Sequence, residues 1–142
     1  MKAKIIHVLC EGQTEQGFVE EVLRPYLQAQ GVAGVKSILI TTNKKKNARG
    51  GMLSYAQAVT DLELLRKMKM DGEYERHVFT TMFDLYALPD DFPGYEAAKA
   101  IGEPYARVAA LETAFAEAIN DSRFIPYIQP VSYTHLRAHE TV

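Results

Sequence analysis

A chain of 142 residues, 47% apolar and 24% charged, has the size and composition of one soluble globular domain. Its formal net charge of −2 excludes a protein that coats nucleic acid through overall charge. Its single cysteine, Cys10, excludes an internal disulfide or a cysteine-rich metal cage, and a cytoplasmic setting is expected.

The N-terminus MKAKIIHVLC places two lysines before an apolar run that ends at once in Glu11-Gly12, with no small-residue cleavage pattern. It reads as a first strand, Ile5 to Cys10, buried on both faces, and not as a signal peptide or membrane span. Thr14 is placed to cap a helix starting at Glu15, whose apolar face is Val19, Val22, Leu23, Tyr26 and Leu27. Pro25 removes a backbone hydrogen bond and should kink that helix or end it early. Val35 to Thr42, rich in isoleucine and threonine, reads as a second strand.

Asn43 to Gly51, NKKKNARGG, is a basic, glycine-ended loop. Ser54 followed by Gln57 forms a capping box for a helix that carries Tyr55, Val59, Leu62, Leu65 and Met68 inward. His77 to Phe83 reads as a third strand ending at Asp84, before the proline-rich acidic turn LYALPDDFPG. Glu96 to Ala100 fits a short helix, and from Pro104 the residues Tyr105, Val108, Leu111, Phe115 and Ile119 mark a longer one. Arg123 to Gln129 reads as a fourth strand, with Pro126 tolerable mainly at an edge or bulge.

This alternation predicts an α/β domain with a mostly parallel four-stranded sheet flanked by helices. Ligands bind such sheets beyond the carboxyl ends of the strands, which draws attention to Glu11 and Asp84. Adjacent first and third strands would bring these two carboxylates together, with Glu15 one helical turn on and Asp90 and Asp91 in the turn after the third strand. Mg²⁺ is commonly held by one or two carboxylates, water and substrate phosphates, whereas bare carboxylates at that spacing repel. Helix capping and solvated loop charge are the structural alternatives, for Glu15 above all.

Lys44, Lys45, Lys46 and Arg49 follow the second strand and can reach the same face to contact phosphate, or form a solvated loop. His7 reads as a hydrogen-bonded core histidine and Cys10 as core volume. His77 has no partner identifiable from sequence. Tyr86, Phe92 and Tyr95 read as loop residues packed on the sheet, with stacking on a base as the alternative.

The segment Val131 to Val142, VSYTHLRAHETV, breaks the preceding pattern and resembles the translation of a transposase-type sequencing adapter. The expected domain is therefore residues 1–130, with a foreign tail at 131–142. His135 and His139 receive no role despite their helical metal-site spacing.

VLCEGQTEQGFVEEVL followed by TTMFDLYALPDDFPG resembles the bacterial domain-of-unknown-function family 4276, related to the Toprim domains of topoisomerases, primases and OLD-type nucleases. The resemblance implies a Toprim-like fold in which Glu11 and Asp84 bind Mg²⁺ or Mn²⁺ and support phosphoryl transfer. The resemblance also implies that the natural domain continues beyond Pro130, and the chain departs from the Toprim aspartate-x-aspartate motif at Tyr86, so Asp91, Glu15 or a residue beyond this C-terminal truncation would complete the metal set. Two functions are implied: a Mg²⁺-dependent nuclease-like protein, such as an effector of a bacterial anti-phage system working beside a separate ATPase, or a non-catalytic Toprim-like subunit that recognises nucleic acid or a partner.

Overall fold

The structure is a computed structural model that describes residues 2–40 and 54–130. Strand β1 (Ala3–Cys10) leads into a continuous helical path made of α1 (Gln13–Phe18), a π-helical turn (Val19–Leu23) and α2 (Arg24–Ala29). Then come β2 (Gly34–Leu39), α3 (Tyr55–Met68), β3 (Glu75–Asp84), a 3-10 turn (Leu85–Ala87), α4 (Tyr95–Lys99), α5 (Pro104–Ile119) and β4 (Ile128–Gln129).

The four strands form one all-parallel sheet in the order β2-β1-β3-β4, an α/β arrangement consistent with a Toprim-like fold. β1 and β3 occupy the centre. Strand side chains alternate between faces, so Leu9 points to one layer while Val8 and Cys10 point to the other, and both layers are covered. This explains why β1 is a nearly unbroken apolar run. On one face Leu9, Phe79 and Phe83 pack against Ala58 and Leu62 of α3 and Val108, Leu111, Phe115 and Ile119 of α5. On the other, Val8, Cys10, Val35 and Met82 pack against Phe18, Val19, Leu23 and Leu27.

Several sequence expectations are corrected. Gly12, not Thr14, is the N-cap of the first helix, which begins at Gln13 without a side-chain cap. Pro25 does not end the helix. The N–H of Arg24 bonds back to the carbonyl of Val19, a π-type step, and Pro25 then falls in the first turn of α2, where the missing donor costs least. That extra residue rotates the apolar stripe by roughly 100°. Val22 and Tyr26, expected inside, are 50% and 61% exposed, and Phe18 joins the packed side instead.

Met68 and Tyr105 are also exposed, since each lies at a helix end where the periodicity runs past the packed surface. The Ser54 hydroxyl accepts from the Gln57 N–H, but the Gln57 amide turns to Asp61, so half of the capping box forms. Strand β4 is shorter than Arg123 to Gln129. Phe124 makes an isolated bridge to Phe79, and the ladder resumes at Ile128 after Pro126, which has no N–H to offer. In the gap the Thr81 hydroxyl donates to the Tyr127 carbonyl at 2.9 Å and accepts from its N–H at 3.1 Å. The strand lies at the sheet edge, where such a break is tolerated.

Candidate functional site: buried carboxylates at the strand ends

The β1–β3 register pairs Cys10 with Met82, and the Glu11 N–H continues the ladder to the Met82 carbonyl at 3.3 Å. Glu11 and Asp84 thus leave adjacent strands at one end of the sheet. The backbone N–H of Asp84 donates to Glu11 Oε1 at 3.4 Å. Asp84 Oδ1 accepts from the Tyr86 N–H at 2.9 Å and so caps the 3-10 turn. Glu15, in the first turn of α1, folds back over Gly12, where an added Cβ would stand 3.3 Å from Glu15 Oε1.

Glu11, Glu15 and Asp84 are all more than nine-tenths buried. Among the described residues no lysine or arginine pairs with any of them. Burial pushes the Glu11 carboxyl up to about 8, and the neighbouring Glu15 and Asp84 carboxylates add to the shift. Burial raises Glu15 as well, with Asp84 contributing and nearby backbone N–H groups opposing. Cys10, directly before Glu11, is pushed up to about 12 by burial and by Glu15 and Glu20, so it remains an unreactive thiol filling the core.

Asp91 is exposed and accepts from the Tyr55 N–H at 3.0 Å, at the N-terminus of α3. Lys44, Lys45, Lys46 and Arg49 lie outside the described residues, as does the segment 131–142. Phe92 is buried and Tyr95 packs against the core, while Tyr86 is 64% exposed. Among the described residues no three histidine, cysteine, aspartate or glutamate side chains form a ready-made metal cage.

Two relationships escaped the sequence. His77 has a partner: His7 Nε2 and His77 Nδ1 are 2.8 Å apart, and His77 Nε2 lies 3.3 Å from Glu75. With the His77 Nε2–H turned to Glu75, His7 donates to His77 and its own buried Nδ1 has no hydrogen-bond partner among the described residues. His7 is lowered to about 4, chiefly by burial and then by His77. The second is Gln129, which pairs in register with Asp84. Only the adjacency of β1 to β3, and of β3 to β4, makes either relationship visible.

The profile of the family described as Domain of unknown function (DUF4276) matches residues 10–133. The chain belongs to the DUF4276 family. The DUF4276 match opens at Cys10, spans Glu11, Glu15, Asp84 and Gln129, and runs past Pro130 to residue 133, three residues into the segment set aside as foreign. No curated protein and no solved structure matches the chain. Among the described residues no helix is long and apolar enough to cross a membrane.

Proposed function

We propose that this DUF4276 protein is a Toprim-type, Mg²⁺- or Mn²⁺-dependent nuclease-like protein that hydrolyses phosphodiesters. The observation that carries this reading is the convergence of Glu11, Glu15 and Asp84 in the interior with no basic side chain beside them among the described residues. Burial and the neighbouring carboxylates make ionisation of Glu11 and Glu15 costly, and a divalent cation is the natural counter-charge. The oxygen donor set suits Mg²⁺, which needs only one or two protein carboxylates when water and substrate phosphates fill the other positions. Glu11 and Asp84 would hold the ion, and Glu15 would orient water. When bound, the ion activates water and stabilises the leaving oxygen.

The chain's own contributions are positional. The Asp84 N–H donates to Glu11 Oε1 and the Tyr86 N–H donates to Asp84 Oδ1, so Asp84 Oδ2 would be the oxygen offered to a ligand. Lys44, Lys45, Lys46 and Arg49 would steer the phosphate backbone toward these acids. A cytoplasmic anti-phage effector acting beside a separate ATPase is the setting this reading suggests, with residues 131–142 a translated adapter. Tyr86 favours a second reading, a non-catalytic subunit that binds nucleic acid or a partner. Its phenol is exposed and only its backbone serves Asp84, so the second Toprim aspartate has no substitute there.

Incubating the protein with plasmid DNA and with single-stranded RNA, with Mg²⁺, with Mn²⁺ and with chelator, separates the two. Cleavage that needs the metal and disappears in Glu11→Gln supports the nuclease. Retained binding without cleavage supports the subunit.

A further inference from the structure

We infer that Gln129 is an additional ligand of this site, presenting its amide oxygen to the divalent cation held by Glu11 and Asp84. The inference rests on the metal-binding reading above and extends it to a third strand. Gln129 closes β4 and is the in-register neighbour of Asp84 on β3. Paired residues of adjacent parallel strands project from the same face of a sheet, so the two side chains stand side by side at its carboxyl end. Gln129 is 8% exposed, and its Oε1 is buried without a hydrogen-bond partner among the described residues.

A buried amide oxygen with no donor is destabilising, and it persists where another group satisfies it. The neighbouring Asp84, when ionised, has only lone pairs to offer and cannot do so. A hard cation can, since neutral amide carbonyls are ordinary oxygen ligands of Mg²⁺-type ions. A neutral oxygen at this point would add a donor from a third adjacent strand without adding another carboxylate to Glu11, Glu15 and Asp84. The His7 Nδ1, likewise buried and without a partner among the described residues, stands in register with Phe79 and Lys36 and not with an acidic cluster.

The test is calorimetric titration of the 142-residue protein with Mn²⁺ alone, alongside Gln129→Leu and Gln129→Glu. The nitrogen-15 spectrum of the wild type is followed during the same titration. Gln129→Leu should weaken Mn²⁺ binding about tenfold or more while leaving the melting temperature unchanged or higher. Gln129→Glu should tighten it, and Mn²⁺ should broaden the Gln129 side-chain amide signal beyond detection. If the amide instead turned its NH₂ group to Asp84, Gln129→Glu would repel and weaken binding, which overturns the inference. Wild-type binding with an unbroadened Gln129 signal overturns it alone. A wild type that takes up no Mn²⁺ overturns both this inference and the metal-dependent reading. Should Gln129→Leu fail to fold, the broadening and the Gln129→Glu affinity still decide the matter.

Discussion

The backbone N–H of Asp84 donates to the Glu11 carboxylate across two adjacent parallel strands, at 3.4 Å. That bond offsets only part of what burial costs Glu11, whose carboxyl is pushed up to about 8 from an ordinary 4.5. The folded chain therefore holds this proton more tightly than the unfolded chain. Its contribution to stability is full below about pH 4.5 and is lost as pH rises to about 8. Without divalent cation, the wild type should lose on the order of 4 kcal/mol relative to Glu11→Gln between pH 5 and 8.5. Urea titrations of both proteins across that range check this. Parallel profiles would show that Glu11 titrates normally.

Asp84→Asn keeps the shape of the side chain and its bond from the Tyr86 N–H but removes a charge. Mn²⁺ binding measured by calorimetry should disappear in this variant, and the melting temperature without metal should hold or rise. Unchanged affinity would remove Asp84 from the site.

The His7–His77 pair sets the opposite limb. His7 is lowered to about 4 from 6.5, so the stability it contributes is present above pH 6.5 and lost as pH falls toward 4. Between pH 7 and pH 5 the wild type should lose about 2 kcal/mol that His7→Phe does not lose. Denaturation at the two pH values measures the difference, and an equal acid loss in the variant would exonerate His7.

Phe115 lies at the centre of the larger core. Its ring stands 4.9 Å from those of Phe92 and Phe124 and 5.8 Å from that of Tyr55. Phe115→Ala should cost about 3–5 kcal/mol, seen as a lower urea midpoint. Tyr105→Ala, on the same helical stripe but 67% exposed, should stay within about 0.5 kcal/mol of wild type. Comparable losses in both would contradict the placement of α5.

Replacing Lys44, Lys45 and Lys46 together with alanine should weaken nucleic-acid binding. The salt slope of log affinity should shrink by about 1 for each phosphate that is no longer neutralised. Fluorescence anisotropy at graded salt reads this directly. An identical slope would assign the lysines to a solvated loop.

The amino-acid sequence by itself determined the order of elements and the character of the sheet. A strand covered on both faces must be apolar at successive positions, as β1 is, and α5 carries its stripe at helical spacing. It also marked Glu11 and Asp84, because charges directly after apolar runs mark the ends of parallel strands. Local pattern could not reveal the π-type step before Pro25, which rotated Val22 and Tyr26 into solvent. Helical periodicity assumes a constant turn. Nor could it reveal that Asp91 lies at the N-terminus of α3. The meeting of His7 with His77, and of Gln129 with Asp84, depends on which strands are neighbours and in what register, a choice made by packing between residues far apart in the chain.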